Sequence, residues 1–538
     1  MLRNKPRLKY CGLTIILSNP SRFDSCNLLS STGGQCMNTF ALRPDYNTMQ
    51  CDIRLADDKS PWLDGTKCIL LLGEYAMHSW LPETRGNSLN EMRGSLFYVN
   101  NIPTIPSYFP QDCADTRAYE QSLNPLSKEF VEDGNYTDDD DEEAEDLKSY
   151  SKTKRTNYAF WLRADTNKCK TILRSGVPVS EYPEPVYKTY PNSDEVINVL
   201  SRTKDQTLWF DMETDYEEQN MQCFSFTFDG KTIYNIPTLD CNYRPAYSAL
   251  PYILRSLAVG ARDNILVAHN GANFDFFVLG YKYRIPVYRC YDTMIAQHRC
   301  FPDIEKSLGH CVSYWTWEKF HKAENSIAYM THDQMMARLK YCGKDVYTMF
   351  LVHKAQEKYA KTIPGLSHSI ETANACIVPY LVTTLQGIRY NEEKVKKLMH
   401  ENDRLMMQYL RLIKILIGES GMEDVKRAVK GKAKAFANSP VQTIKYFHDL
   451  LGYAEVAKTD TGKPSLGAKA MYKLALKYPE NPVIQLVLRY RELAKESGAL
   501  KFLPWRDDNN NIIHWRQYEQ SRSASQASNT NQIQIAIG

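Results

Sequence analysis

The stretch Leu208–Thr214 reads L-W-F-D-M-E-T, an apolar run that ends in two acidic residues within three positions. A short apolar run of this kind predicts a β-strand buried in a sheet. Asp211 and Glu213 lie two residues apart, and alternate residues of a strand project from the same face, so their carboxylates should converge. Carboxylate oxygens are the ligands that Mg²⁺ and Mn²⁺ prefer. The stretch therefore predicts a divalent metal site.

Two later stretches supply more residues of the same chemistry. V-A-H-N-G-A-N-F-D-F-F places Asn270 and Asp275 directly after a predicted strand at Ile265–Ala268. L-K-Y-C-G-K-D-V-Y-T-M-F has a helical pattern in which Tyr341 and Asp345, four residues apart, share a face. Each motif alone would also fit a turn cap, a helix start or a solvated surface acid. The three together, in order, favour the metal site.

These motifs resemble the three exonuclease motifs of the DEDDy group of proofreading 3'-5' exonucleases. The resemblance implies two divalent ions, Mg²⁺ or Mn²⁺, that assist hydrolysis of a 3'-terminal nucleotide. It makes Asp211 the ligand that bridges both ions and places Glu213 and Asp345 around the ion that binds the attacking water. Asp275 would support the second ion.

The resemblance also implies roles for three neutral residues. Tyr341 would orient the attacking water through its hydroxyl, because a phenol with a pKa of about 10 is a poor base. Thr214 and Asn270 would hold the terminal nucleotide. The fold implied for residues 201–365 is an RNase H-like exonuclease domain, in which strands and helices alternate.

Length, cysteine pattern and charge limit the classes of protein to which this chain could belong. The 538 residues suggest three or four domains, and no apolar run approaches the roughly 20 residues that span a bilayer, so no membrane role is expected. The 14 cysteines contain no C-x-x-C pair, which favours a reducing cytoplasm over a zinc or disulfide framework. The net charge is +3 although Asp138–Asp146 contains eight acids, so the remainder is basic, as suits a nucleic-acid binder.

Residues 1–128 have their own pattern of strands and turns. A predicted first strand near Leu13–Leu17, the strand and turn K-C-I-L-L-L-G-E-Y-A, and the Arg93-Gly94 loop resemble the uracil-DNA glycosylase superfamily. Phe109 stands before proline where that family usually has a histidine, and phenylalanine can neither donate a hydrogen bond nor carry charge. We expect a degenerate module without base excision. It would serve in DNA contact, partner binding or packing against the exonuclease, with Arg93 contacting DNA or a partner.

The next segments are predicted to connect two domains. Residues 129–156 are acidic and poor in apolar side chains, which predicts a flexible linker; mimicry of DNA is the alternative. Within the connecting segment 157–200, A-F-W-L-R-A-D-T-N-K-C predicts a strand, and the proline-rich part up to Ser193 predicts an extended connection. The fold class is therefore an α/β multidomain protein.

Residues 366–505 change to a helical period, with a long helix predicted at Glu392–Leu416 and a stop at Gly418. N-S-P-V-Q, T-D-T-G-K-P-S and R-E-L-A-K resemble, in this order, the thumb of family A DNA polymerases, here a partial one. Exposed helix charges are the ordinary interpretation of the basic residues in this region. Lys430, Lys432 and Lys434 alternate with small residues, which also suits contact with DNA phosphates. The resemblance implies such contact for Arg491 and Lys495, which share a helix face.

Residues 506–538 resemble the start of a palm only loosely, with Arg522 at a DNA-contacting place, and their Ser/Asn/Gln-rich composition fits a disordered tail equally well.

The palm and fingers motifs of family A DNA polymerases do not occur in this sequence. We therefore expect the proofreading half of a bacteriophage-type replicative polymerase, in the host cytoplasm, that does not synthesise DNA by itself. Its palm and fingers would belong to another polypeptide or to a part of the protein outside this sequence. Other expected partners are single-stranded 3' ends, primer-template duplex and further replication proteins.

Two alternatives remain open at the level of sequence. The chain could be a non-catalytic DNA-binding or scaffold subunit whose exonuclease is vestigial. It could also be an exoribonuclease, since sites of this kind process RNA as well.

Overall fold

The computed structural model describes most of the chain. The described residues are 10–18, 42, 51–110, 142–215, 220–302, 304–319, 321, 331–386, 388–389, 391–427, 435–457, 464–501, 506–507, 512–513, 517–519 and 526–528. The chain divides into two compact units, the first built mainly from residues before 386 and the second mainly from residues 386–517. Within the described residues, no helix is both long enough and apolar enough to cross a bilayer.

The first unit begins with a five-stranded sheet of order β2-β1-β3-β5-β4, in which only β4 runs antiparallel to its neighbour. Every residue of β1 and β3 is buried, because a largely parallel sheet covered on both faces needs continuous apolar strands. The predicted first strand is thereby confirmed. The elements are β1 (Leu13–Leu17), β2 (Asp52–Leu55), β3 (Cys68–Leu72), α1 (Glu74–Trp80), α2 (Leu89–Met92), β4 (Phe97–Val99) and β5 (Ile102–Ser107).

A long helix, α3 (Glu142–Ser175), follows, and it corrects two predictions. The strand predicted from A-F-W-L-R-A-D-T-N-K-C is helical, and the predicted flexible linker overlaps the first turns of this helix. Residues 129–141 lie outside the described part of the chain. Leu162, Cys169 and Ile172 belong to the same apolar cluster as the residues of β1 and β3, at helical spacing. Burial against this sheet therefore selects the helix.

The second sheet of the first unit has six strands in the order β11-β10-β7-β8-β9-β6. Strand β10 is parallel to β7 and β11, whereas β8 is antiparallel to β7 and β9. The strands are β6 (Val186–Thr189), β7 (Thr207–Thr214), β8 (Met221–Thr227), β9 (Thr232–Pro237), β10 (Ile265–Ala268) and β11 (Cys290–Asp292). Part of the predicted extended connection is thus edge strand β6, which pairs with β9.

Helices cover this mixed sheet, which confirms the predicted α/β class. The helices are α4 (Ser193–Arg202), α5 (Leu250–Asp263), α6 (Asp275–Tyr281), α7 (Thr293–Cys300), α8 (Leu308–Trp315), α9 (His332–Ala360), α10 (Leu366–Ala375) and α11 (Ile377–Gln386). Helix α9 packs across β6, β7, β8 and β9, and a capping box at Thr331 fixes its start. This helix and β7 together position the candidate site.

The second unit is mainly helical. Its helices are α12 (Glu392–Arg427), α13 (Pro440–Ile444), α14 (Ala468–Lys477) and α15 (Pro482–Lys501), with a π-helical turn at Lys445–Leu450. Helix α12 packs along α15, and the core between the helices contains Ile413, Phe447 and Ile484. Gly418 interrupts α12 with a φ of 77°, as the predicted stop requires, but the helix resumes and continues to Arg427.

Short strands complete the described residues: β12 (Ile388–Arg389), β13 (Arg506–Asp507), β14 (Ile512–Ile513), β15 (Gln517–Glu519) and β16 (Gln526–Ser528). Strand β14 pairs with β12 and β13. The predicted DNA contacts Lys430, Lys432, Lys434 and Arg522 lie outside the described residues.

Candidate active site

Strand β7 brings the first two acidic residues to one face of the six-stranded sheet. Phe210 and Met212 are buried on the other face, while Asp211 and Glu213 are partly exposed, as the alternation of a strand predicts. The register shift between Glu213 and Thr214 opposite β8 marks a bulge at the end of this pairing. Bulges are common next to functional sites, where they redirect a side chain.

Helix α9 adds the third carboxylate. One oxygen from each of Asp211, Glu213 and Asp345 lies within 4.8 Å of the others, and Asp345 is 3% exposed. Three carboxylates so close repel one another unless cations compensate them. Hard oxygen donors in this arrangement fit Mg²⁺ or Mn²⁺. The cluster could therefore hold a metal ion.

A thiol lies behind the first acid. Cys342 Sγ is 3.5 Å from Asp211 Oδ2 and 3.4 Å from the Asp211 carbonyl oxygen, and the thiol donates weakly to these acceptors. Burial raises the pKa of the Cys342 thiol, so it remains protonated as a donor. The contact ties the carboxylate of β7 to helix α9.

Two basic residues that the sequence analysis missed contact the carboxylates. Arg338 Nη1 lies 3.0 Å from Glu213 Oε2, and His321 Nε2 lies 2.6 Å from Asp345 Oδ1. Arg338 precedes Tyr341 by three residues on α9, so helical spacing could have placed it on the same face. His321 lies in the segment before α9, and no local pattern singles it out.

Asp275 lies beside the cluster but outside the group of three. It begins α6, is 2% exposed, and accepts a hydrogen bond from the Met212 backbone N–H at 3.2 Å. Burial, with smaller contributions from the charges of Asp292 and Glu213, raises the pKa of Asp275 to about 8. A cation bound nearby would favour its ionised form.

The loop between β10 and α6 is organised by Asp292. Its Oδ1 accepts from the Asn270 backbone N–H at 2.9 Å, and its Oδ2 accepts from the Ala272 N–H at 3.0 Å. Asn270 takes a left-handed φ of 62°, a conformation that asparagine tolerates better than most residues. Asp292 itself is fixed by the Asn374 side chain, which accepts its backbone N–H at 2.6 Å. The loop therefore holds Asn270 in a defined position.

Tyr341 is 4% exposed, and its ring centroid lies 5.9 Å from that of His321. It shares a face of α9 with Asp345, as the spacing predicts. The structure thus places Tyr341 beside the cluster, while Thr214 lies at the end of β7, one residue beyond Glu213.

Two predicted contact residues have structural partners instead. Arg93, expected to contact DNA or a partner, is 1% exposed and forms two hydrogen bonds to Asp165 of α3, so that prediction was wrong. Arg491 donates to the carbonyl oxygens of Ala437 at 2.7 Å and Leu466 at 2.5 Å, within its own unit. Its guanidinium is thereby directed inward, whereas Lys495, one turn later, is exposed.

Comparison with models of known protein families gave no match, and comparison with curated proteins gave none either. Among solved structures, the chain is similar to the POL domain of Pol1 from M. smegmatis in complex with DNA primer-template and dNTP. The TM-score is 0.45 and the identity 15%, over 63% of this chain and 54% of that chain. The match thus spans about half of the other chain, and a similarity of this size establishes no activity for this protein.

Proposed function

We propose that the chain is a metal-dependent 3'-5' exonuclease that removes the terminal nucleotide from DNA. The observation that carries the proposal is the convergence of Asp211, Glu213 and Asp345 from β7 and α9, with their oxygens within 4.8 Å. Divalent ions held by such carboxylates acidify a bound water and stabilise charge on the attacking and leaving oxygens of a phosphodiester.

The residues around the cluster have defined tasks in this proposal. Tyr341 orients the attacking water through its hydroxyl, and Asp275 supports the second ion. Thr214 and Asn270 hold the terminal nucleotide, Asn270 from the loop that Asp292 fixes. The carboxylate pair of β7 is held in place by the sheet, which keeps the ligands ready for the ions.

The proposal is tested by release of nucleotides from single-stranded DNA labelled at its 3' end, in Mg²⁺ or Mn²⁺ and in EDTA. We expect metal-dependent release that Asp211→Asn abolishes, since the amide preserves the shape of the side chain but removes its charge. Asp64→Asn, the same change at an exposed residue of the first unit, is the matched control and should keep full activity. Equal activity of the wild type and Asp211→Asn would refute the proposal.

The same assay distinguishes two other functions from the proposed DNA exonuclease. A non-catalytic DNA-binding or scaffold subunit would bind DNA without releasing nucleotides, and Asp211→Asn would leave its binding intact. An exoribonuclease would degrade an RNA of the same sequence faster than the DNA. The intact carboxylate cluster supports catalysis over the scaffold role.

We also propose, from the motif resemblance alone, that the chain forms the proofreading half of a replicative polymerase. Residues 201–365 would hydrolyse DNA and residues 366–505 would contact the duplex. The palm and fingers, on another chain or outside this sequence, would synthesise DNA. Co-purification with such a chain, and primer extension only by the mixture, are the expected results. Two chains that stay apart in gel filtration would contradict this wider proposal.

A further inference from the structure

Arg338 is a basic residue that contacts the candidate metal cluster. It lies on α9 one turn before Tyr341 and two turns before Asp345, and its Nη1 contacts Glu213 Oε2 at 3.0 Å. The two side chains are 16% and 18% exposed, which places the ion pair at the rim of the cluster. The ion pair is therefore partly accessible to solvent and to a strand that reaches the cluster.

The ion pair and the metal compete for the same carboxylate. A divalent ion bound to Glu213 would draw on the same negative charge as the guanidinium, and the two positive charges repel each other. Metal binding should therefore release at least one donor of Arg338 from Glu213. A guanidinium presents its donors in a planar fork that matches phosphate oxygens, so the released group suits the backbone of the arriving strand.

We propose that Arg338 is a substrate-binding residue that exchanges Glu213 for a phosphate of the DNA end when metal binds. This inference rests on the proposed exonuclease function and adds to it an order of events. Without metal, Arg338 compensates the charge of Glu213 and keeps the cluster assembled. With metal, it binds the strand near the terminal phosphodiester, so that metal and substrate reinforce each other.

The test compares Arg338→Gln and Arg338→Lys with Lys340→Gln, the same loss of charge at an exposed position two residues along α9. Mn²⁺ affinity is measured without DNA by electron paramagnetic resonance. We expect Arg338→Gln to bind Mn²⁺ about tenfold more tightly, because a competing cation is gone. Lys340→Gln should match the wild type, and Arg338→Lys should bind Mn²⁺ nearly as weakly as the wild type because the charge remains.

The second measurement is the salt dependence of kcat/KM on single-stranded DNA at saturating Mn²⁺. Each phosphate contact adds about 0.7 to the slope of log kcat/KM against log salt. Arg338→Gln should lower kcat/KM, although it binds the metal more tightly. It should also reduce the size of the slope by about 0.7, the value of one phosphate contact. Arg338→Lys should keep the slope but lose rate, since an ammonium lacks the planar fork. A merely structural arginine would not produce opposite changes in metal affinity and rate.

The outcomes distinguish the proposed exonuclease function from the proposed role of Arg338. A wild type that neither binds Mn²⁺ nor releases nucleotides refutes the proposed exonuclease itself. An active wild type whose Mn²⁺ affinity and salt slope are unchanged in Arg338→Gln refutes only the role of Arg338. If Arg338→Gln fails to fold, Arg338→Lys decides: an unchanged rate would then overturn the proposal, and a reduced rate with an unchanged salt slope would support it.

Discussion

At the scale of single residues, the site combines acidic and basic side chains from three segments of the chain. Asp211 and Glu213 come from β7, Asp345 comes from α9, and His321 comes from the segment before α9. The spacing within a strand or a helix predicts which of these residues share a face. It cannot predict which loop residue will arrive beside them, because that depends on how the whole segment folds back. His321 was missed for this reason.

His321 should position Asp345. Its Nε2 lies 2.6 Å from Asp345 Oδ1, and a hydrogen bond to a charged group contributes about 1.5–3 kcal/mol. We expect His321→Ala to reduce kcat for nucleotide release by about tenfold or more. His321→Gln offers an amide N–H in a similar place and should recover part of the rate.

The measurement is kcat at saturating Mn²⁺, with the melting temperature of each variant recorded to detect loss of folding. A His321→Ala variant as active as the wild type would show that this contact has no part in the reaction.

At the scale of elements, helix α3 joins the N-terminal sheet to the rest of the first unit. Arg93 Nη2 and Asp165 Oδ1 are 2.7 Å apart, both side chains are 1% exposed, and the guanidinium lies over the ring of Trp161 at 3.9 Å. Ser107 of β5 donates to the other oxygen of Asp165 at 2.7 Å. This buried ion pair, with two hydrogen bonds from Arg93 and one from Ser107 to Asp165, ties the helix to the sheet.

Breaking this ion pair should destabilise the first unit strongly. Arg93→Met leaves the Asp165 carboxylate buried without its cation, which costs about 3–5 kcal/mol. Urea unfolding should show this loss, whereas Arg85→Met, the same change at an exposed residue, should stay within about 0.5 kcal/mol of the wild type. The double variant Arg93→Met, Asp165→Leu should recover part of the loss. A single variant as stable as the wild type would mean that the ion pair adds nothing to the docking of α3.

Lys168 of α3 makes stability depend on pH above neutrality. Its Nζ donates to the carbonyl oxygens of Gly94 at 2.7 Å and Thr316 at 2.6 Å, and burial lowers its pKa to about 7. An unfolded lysine keeps its proton up to a pH of about 10.4. Between these values the unfolded chain binds more protons, so the free energy of unfolding should rise as the pH increases from 7 towards 10.

The rise in the free energy of unfolding with pH should be absent in Lys168→Met. It should remain in Lys340→Met, which removes an exposed lysine. Urea unfolding at pH 7, 8 and 9 measures it, and the difference between wild type and variant cancels the titration of other groups. Parallel pH profiles for the wild type and Lys168→Met would contradict the lowered pKa.

The contrast between β7 and α3 explains how much of the fold the sequence could predict. In β7 an apolar run ends in alternating acids, so period, burial and chemistry all agree on a strand. In α3 the contiguous apolar residues Phe160, Trp161 and Leu162 fit either a strand or a buried helix. The residues that decide between them lie on β1 and β3, far away in the sequence. A local pattern cannot contain that information.

At the scale of the whole molecule, the chain forms two compact units. The first contains the five-stranded sheet, most of α3 and the six-stranded sheet with the carboxylate cluster, and the second contains the helices α12 to α15. Composition and period predicted the change from alternating strands and helices to a mainly helical region. The direct bonds that α3 makes to Gly94 and, through Trp161, to Glu305 were not predictable, since they join residues far apart in sequence.

The most direct test of the central claim is the polarity of digestion by the whole chain. A single-stranded DNA labelled at its 5' end is incubated with Mg²⁺, and the products are resolved at nucleotide resolution for the wild type and Asp345→Asn. We predict a ladder in which the labelled strand shortens by one nucleotide at a time from the 3' end, and no shortening by Asp345→Asn. Internal cuts, loss of the 5' label as a mononucleotide, or equal digestion by the variant would contradict a 3'-5' exonuclease at this carboxylate cluster.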